Sequence, residues 1–264
     1  MNNFDIVILT YNEESHVGRI FEYLIREAFL GQVYVVDSYS IDKTVSICRH
    51  YGATVIQREF ESQALSIRYF VNNLVDKSRF FLRLDADEIP NPGSLGHLSD
   101  LISRAEPDCA GFSVIRDIQF MGKKLRYGGT RVRMNRIFHP QRSEIDGRLM
   151  DEHFVPLEGF HFDNSSLVIT DVAEVSGSFL LEKHAKYASR EIQALTEGKD
   201  ISGLAGRQTY YRLPRFLRVL MLAFYRYIFL LGFLDGRAGL YFVLLNTVIY
   251  RMSVDFLLGF RRNK

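Results

Sequence analysis

Phe80-Phe81-Leu82-Arg83-Leu84-Asp85-Ala86-Asp87-Glu88 decides how this chain is read. An apolar run, the mark of a buried strand, ends abruptly in three carboxylates, two of them spaced Asp-x-Asp. A strand that stops in closely spaced acids places them at the mouth of a sheet, where open α/β proteins bind ligands. Alternate residues of an extended segment point the same way, so Asp85 and Asp87 can face one hard cation together. The competing reading is an acidic strand-to-loop turn, and the residues upstream weigh against it.

Upstream, strands and helices alternate. Phe4–Thr10 reads as a buried strand. Glu14–Phe29 has helical spacing, with Val17, Ile20, Phe21, Leu24 and Ile25 on one side. Strands are expected at Gln32–Asp37, Ala53–Gln57 and Cys109–Arg116, and helices at Asp42–Tyr51, Gln63–Val75 and Ser94–Ser103, with Asp42 as an N-cap. Short connections between alternating elements mean a mostly parallel, doubly wound sheet covered by helices. Strand ends therefore share one edge, and polar clusters close three of them: Thr10-Tyr11-Asn12-Glu13-Glu14, Asp37-Ser38-Tyr39-Ser40-Ile41-Asp42 and Asp85-Ala86-Asp87-Glu88. One such cluster is no more than a helix cap; three converging on one crevice make a site. No Gly-x-Gly-x-x-Gly follows the first strand and no P-loop motif occurs, so dehydrogenase and P-loop readings lose their main support.

Composition bounds the rest. With 264 residues, 47% of them hydrophobic, the chain can hold one large core, or a core and an appendage. Cys48 and Cys109 lack metal-type spacing and read as buried thiols of a reducing compartment. Met1-Asn2-Asn3 leads straight into a strand, so no signal peptide is expected. The net charge of +2 is unevenly placed: from Arg207 onward there are 10 Lys+Arg against 2 Asp+Glu. A basic stretch on an acidic body points to an anionic surface as partner. The density of Leu, Phe and Ile in the same stretch favours a membrane over nucleic acid.

The three clusters, extended to Ile8-Leu9-Thr10-Tyr11-Asn12-Glu13-Glu14, Val35-Val36-Asp37-Ser38-Tyr39-Ser40-Ile41-Asp42-Lys43-Thr44 and Leu84-Asp85-Ala86-Asp87-Glu88, resemble family 2 glycosyltransferases of the GT-A fold in order and spacing. Tyr225-Arg226-Tyr227 and Leu231-Gly232-Phe233-Leu234-Asp235-Gly236 are similar to the bacterial branch that builds lipopolysaccharide cores, O-antigens and exopolysaccharides. The resemblance implies a GT-A domain over residues 1–206, with a nucleotide-sugar half at 4–117 and an acceptor half at 118–206, followed by a membrane-associating helical region at 207–264. It implies transfer of a sugar from a nucleotide-sugar donor, UDP-linked, to a glycan or lipid-linked acceptor, at the cytoplasmic face of the inner membrane. Thr10, Asn12 and Glu13 would line the nucleotide pocket. Asp37 would accept a hydrogen bond from the base, a role that suits an acceptor-only carboxylate. Arg68 would approach the phosphates, unless it is a solvated helix residue. Asp85 would contact the ribose or metal, and Asp87 would bind Mg2+ or Mn2+ directly.

In the second half, Met150-Asp151-Glu152-His153 holds the candidates for the base that deprotonates the acceptor hydroxyl. The family often reads Val-His-Glu here, which puts Glu152 first and Asp151 second. Asp171 follows the apolar run Leu167-Val168-Ile169-Thr170 and reads as a helix cap, or as a further metal ligand where relatives carry His. Lys183 and Tyr187 fall on one helix face, as acceptor-phosphate contacts or as a solvated face. Gln119–Arg133, with three glycines and several cations, reads as a mobile loop over the crevice or as a solvated hairpin.

Phe216–Leu234 would be about 28 Å long as a helix and just able to span a bilayer. Yet Arg215, Arg218 and Arg226 fall within an arc of roughly 80°, and Arg237, Arg251, Asp255 and Arg262 within roughly 40°. Two interfacial helices joined at Asp235-Gly236, with arginines meeting anionic headgroups, are therefore expected. The alternative is a helical pair packed on the protein or forming a dimer. Two rival functions remain: a sugar nucleotidyltransferase, and a non-catalytic membrane-bound module on a degenerate transferase fold.

Overall fold

The computed structural model describes residues 3–74, 76–146, 153–173, 184–185, 187–189, 191–192 and 214–262. The chain forms two compact units: Met1–Arg116 with Arg133–Gly147 and Asp151–Val172, and Asp117–Val132 with Arg148–Met150 and Ala173–Lys264.

The first unit is built on a mixed sheet. Strands β1 (Phe4–Thr10), β2 (Val33–Asp37), β3 (Thr54–Gln57) and β4 (Phe80–Asp85) run parallel in the order β3-β2-β1-β4. The sheet continues through β8 (Val132–Phe138), β6 (Cys109–Phe120), β11 (His161–Ala173) and the short β5 (Glu88–Pro90). β8 is antiparallel to β4, and β5 is antiparallel to β11. A separate pair joins β9 (Ser143–Ile145) to β10 (Phe154–Pro156).

Helices α1 (Glu14–Arg26), α2 (Thr44–His50), α3 (Gln63–Asn73) and α4 (Ser94–Ser103) join successive strands. β1 reads as a continuous apolar run because it is buried on both faces. Its Phe4, Ile6 and Ile8 pack with Leu82 and Leu84 against Val17, Ile20 and Leu24 of α1. Val7 faces the other way, onto Ile67 and Phe70 of α3 with Phe81 and Phe138. Each of these large side chains contributes roughly 1.5–3 kcal/mol by burial.

The helices end a little earlier than periodicity predicts. α1 stops at Arg26 because Ala28 turns left-handed, and the Ala28 and Phe29 amides return to the Ile25 and Leu24 carbonyls. This Schellman closure satisfies carbonyls the helix would otherwise leave open. α2 starts at Thr44 with Lys43 at the N-cap position, and Asp42, one residue before the cap, accepts hydrogen bonds from the Thr44 amide and hydroxyl. Asp171 caps no helix: it lies within β11, opposite Glu88.

In the second unit, the end of β6 folds back on β7 (Lys123–Leu125) in a hairpin. Met121 and Gly122 both take positive φ, the conformation a two-residue hairpin turn requires. The start of Gln119–Arg133 is a hairpin, but a packed one and not a solvated one, since Leu125 and Thr130 are buried. Helix α5 (Arg215–Phe224) continues through a π-helical turn to Phe229, and a 3-10 turn at Gly232–Asp235 leads into α6 (Gly236–Val243). A second π-helical turn, Leu244–Ile249, runs into α7 (Tyr250–Arg262). The two arms are antiparallel: Arg218 pairs with Asp255, and Arg226 reaches Thr247 at 3.3 Å.

The turn between the arms is clasped by the β6–β7 hairpin. Asp235 is buried and accepts hydrogen bonds from the Arg126 and Tyr127 amides at 3.0 and 2.9 Å. Gly128 donates to the Leu230 carbonyl at 2.8 Å, and Phe120 and Leu125 pack on Ala238 and Phe242. The joint falls where the sequence places it. The arginines differ from expectation. Arg218 and Asp255 are a buried pair, Arg226 binds the Gly128 carbonyl at 2.9 Å, and Arg251 binds Glu191 at 2.7 Å. Arg237 is exposed, and the arginines that turn inward demand partners, because an unpaired buried charge costs several kcal/mol.

Candidate functional site

Strand register assembles the site. Thr10 lies opposite Asp37 and Leu9 opposite Asp85, so three strands deliver their polar ends to one edge of the sheet. Adjacent strands lie about 4.8 Å apart, so these groups share one crevice.

Asp37 is fully buried, and its carboxylate accepts four hydrogen bonds. They come from the Thr10 hydroxyl at 2.9 Å, the Ser40 hydroxyl at 2.5 Å, the Ser40 amide at 2.9 Å and Gln57 Nε2 at 3.2 Å. Four acceptor sites are about what a carboxylate has. The Gln57 contact is the longest, and it is the one an incoming N–H displaces at least cost.

The loops after β1 and β2 are laced together. Asn12, left-handed at φ 56°, accepts the Ile41 amide at 2.9 Å and gives its own amide to the Ser40 hydroxyl at 2.8 Å. The Glu13 amide donates to the Thr44 hydroxyl at 2.7 Å, and the Glu14 amide to Asp42 at 3.2 Å. The Asn12 side chain therefore fixes the loop wall. The Glu13 carboxylate is 2.7 Å from His16 Nδ1. That hydrogen bond raises the imidazole's pKa above its ordinary value against the pull of burial, and the Glu13 and Asp87 charges add to it.

Below the acidic turn lies a cluster that alternates in charge. Arg83, fully buried in β4, reaches Asp85 at 2.7 Å and lies 3.8 Å from Glu88. Arg136 of β8 reaches Asp85 at 3.2 Å and Glu88 at 2.9 Å. Glu88 also accepts the Asp85 amide at 2.9 Å, and Gln63 donates to Asp85 at 3.3 Å. Burial and then the Asp85 charge push the Glu88 carboxyl well above the ordinary glutamate range, with Arg83 opposing. Asp87 sits on the turn between β4 and β5, where its carbonyl accepts the Val172 amide at 2.9 Å. Asp171 is directly across from Glu88 in the sheet, which brings the β11 acid beside the Asp-x-Asp turn.

Thr10, Asn12, Glu13, Asp37, Asp85, Asp87 and Asp171 thus converge on one edge of the first unit. Arg68 is exposed on α3, where it donates to the Ile145 carbonyl at 2.8 Å. Glu152, Asp151 and Lys183 lie outside the described residues, and Tyr187 is half-exposed in the second unit. Sequence reasoning passed over Arg83, Arg136, His16, Gln57 and Gln63, and gave Glu88 and Ser40 no role beyond membership of their polar clusters. Arg83 carried a signal, an arginine inside an apolar strand two residues from Asp85. Arg136 carried none, because its partners are about 50 positions away in sequence.

The donor set suits a hard cation. Among the described residues no three His, Cys, Asp or Glu side chains form a ready-made cage. Mg2+ and similar ions ordinarily take one or two carboxylates, with phosphate oxygens and water completing the shell. Arg83 and Arg136 offset the Asp85 and Glu88 carboxylates. Asp87, with Asp85 beside it, fits the ion.

A mostly parallel α/β sheet with acids at its strand ends and an antiparallel extension defines the GT-A class of nucleotide-dependent transferase folds. A mannosyltransferase from Pyrobaculum calidifontis, in complex with GDP-Man and Mn2+, shares this fold at a TM-score of 0.53 and 13% identity, over 96% of this chain and 86% of that one. Glucosyl-3-phosphoglycerate synthase from Mycobacterium tuberculosis, in complex with Mn2+, UDP and glucosyl-3-phosphoglycerate, aligns at 18% identity and a TM-score of 0.36, over 45% of this chain. That alignment takes in 44% of the synthase chain, less than half its length. No curated protein sequence matches. The family model for glycosyl transferase family 2 matches residues 5–159, and the chain belongs to that family.

Proposed function

We propose that the chain is an inverting, Mg2+- or Mn2+-dependent glycosyltransferase. Its donor is a nucleotide sugar, UDP-linked, and its acceptor a lipid-linked or lipopolysaccharide glycan in bacterial cell-surface polysaccharide synthesis. It works at the cytoplasmic face of the inner membrane. The observation that supports the reading is the register of Thr10, Asp37 and Asp85 on neighbouring strands, which sets two acids on one edge, where base and phosphates of a nucleotide can each be met.

Each residue then has a task. Asp37, preorganised by Thr10 and Ser40, accepts the base N–H in place of Gln57. The Asn12–Ile41 lacing holds the wall against which the nucleoside rests. Arg83 and Arg136 fix Asp85 and remove most of its repulsion for the donor diphosphate, which for a bare carboxylate near 4 Å is about 4 kcal/mol at an effective dielectric of 20. Asp87, with Asp85 and the β11 acid Asp171 close by, holds the cation. When bound, the cation offsets the diphosphate charge and stabilises the departing nucleoside diphosphate. Glu152, or Asp151, takes the proton of the acceptor hydroxyl as its oxygen attacks the anomeric carbon opposite the leaving diphosphate, which inverts that centre.

Incubation with a panel of radiolabelled sugar nucleotides tests the reading. The wild type should release nucleoside diphosphate and label an acceptor, and Asp87→Asn should abolish both. Full activity in Asp87→Asn, or pyrophosphate as the released product, would overturn it.

A further inference from the structure

The two helical arms of the second unit turn Arg218, Arg226, Arg251 and Asp255 inward and many of their apolar side chains outward. Phe216, Leu220, Phe224 and Ile228 form an exposed stripe at four-residue spacing along the first arm. Leu240, Leu244, Met252 and Phe256 continue an exposed apolar face along the second. The exposure is extreme for phenylalanine: Phe216 is 68%, Phe229 67% and Phe256 65% accessible. Soluble monomers rarely leave so large a contiguous apolar face to water. The polar groups of the arms have other uses: Arg218 with Asp255, Arg226 with the Gly128 and Gly129 carbonyls, Arg251 with Glu191.

We propose that this face lies within one leaflet of an anionic membrane, with both arms in its plane and the β6–β7 hairpin at the headgroups. The proposal specifies the membrane partner of the preceding reading, and it rests on that reading only for the choice of leaflet. Three observations fit a bilayer. First, Arg126 on the hairpin and Arg237 at the start of the second arm are exposed cations, while Lys123 and Lys124, also exposed, pair with Asp235 and Asp117. The two arginines meet anionic headgroups while the apolar stripe enters the acyl region. Second, Tyr225 and Tyr241 stand exposed beside the stripe, and tyrosine favours the membrane–water boundary. Third, a second copy is a poor occupant. A symmetric dimer through this face would bring the exposed Arg126 and Arg237 of both copies to one interface.

The geometry also weighs against a membrane-crossing hairpin. The first arm is about 22 Å long at 1.5 Å per residue, short of the roughly 30 Å hydrocarbon core. The turn between the arms is tied by Asp235 and Leu230 to the polar hairpin, so it stays on the hairpin's side. The second arm, Gly232–Leu258, has the length and hydropathy of a span. It is packed on one side against Phe120, Leu125, Ala188 and Ile192, however, which suits a helix lying on a surface.

Flotation of the full chain tests this, using phosphatidylcholine vesicles with and without phosphatidylglycerol. The wild type should float with the anionic vesicles and resist a high-salt wash. A Phe224→Ser, Phe229→Ser, Phe256→Ser variant should lose partition by about a hundredfold, since binding scales with buried apolar area. That variant should keep its UDP affinity by calorimetry. A wild type that stays in the dense fraction, or a triple variant that floats equally well, overturns the proposal. So does a wild-type dimer that the triple variant makes monomeric without either one floating. Flotation without UDP binding would instead strike the transferase reading and leave this one standing. A fluorophore on Phe229→Cys gives a separate test without the triple variant: its emission should shift to the blue on anionic vesicles, and an unchanged spectrum overturns the proposal.

Discussion

Replacing Arg136 by Met removes the guanidinium that Asp85 and Glu88 share. In the folded chain Arg136 is nearly buried and makes contacts of 3.2 and 2.9 Å to the two acids. Met preserves most of the volume, so packing loss is small and the effect is electrostatic. Glu88 would be left in the interior facing Arg83 at 3.8 Å, a weaker match. Breaking a buried pair in this way costs about 3–5 kcal/mol. At roughly 2–4 °C per kcal/mol for a chain of this size, the melting temperature should fall by about 6–20 °C. Glu88→Gln removes the charge that Arg136→Met strands. The double variant should therefore be more stable than the sum of the single losses by about 1–3 kcal/mol. Urea unfolding of the four proteins in the cycle gives the coupling. A single-variant loss under about 1 kcal/mol, or strict additivity, would refute the view that the acidic turn is held up by a charge lattice.

Other outcomes can be checked independently. Burial pushes the Cys48 thiol up to about 12 and the Cys109 thiol up to about 11, so both should resist iodoacetamide at pH 8 in the folded protein and react at once in urea. His16 should titrate above its ordinary value of 6.5 by NMR, and Glu13→Gln should bring it down. Because the folded value is raised, the stabilisation from that pair is complete below pH 6.5 and fades as pH climbs through the folded value. A Cβ added at Gly239 would meet the Gly232 carbonyl oxygen at 2.1 Å. Gly239→Ala should thus destabilise the chain by about 1–3 kcal/mol in urea unfolding and loosen the turn between the helical arms to limited proteolysis.

Much of the fold was legible because its signals are local. An apolar run closed by polar residues marks each parallel strand, and period fixes each helix, so the edge carrying Thr10, Asp37 and Asp85 follows directly. Asp171 was misread as a helix cap because its strand pairs with β5, a three-residue segment with no periodicity of its own. The arginine lattice was hidden for a related reason. Arg83 sits in plain view, but the need for Arg136 arises only once β8 is laid against β4. In the helical arms Arg218, Arg226, Arg251 and Asp255 turn to protein partners instead of headgroups, whereas Arg237 is exposed as expected, and the side chains of Arg215 and Arg262 lie outside the described residues. Periodicity says which residues share a side, and only tertiary packing says whether that side faces solvent, lipid or protein.

The clasp at Asp235 bears on how the chain can be shortened. The carboxylate that receives the Arg126 and Tyr127 amides, and the Phe242 ring beside Phe120, come from more than a hundred residues downstream of the hairpin they complete. A truncation before Pro214 would thus do more than remove the two helical arms. It would leave two stranded backbone donors and a bare aromatic pocket on what remains, and the trimmed protein should be sticky rather than well behaved.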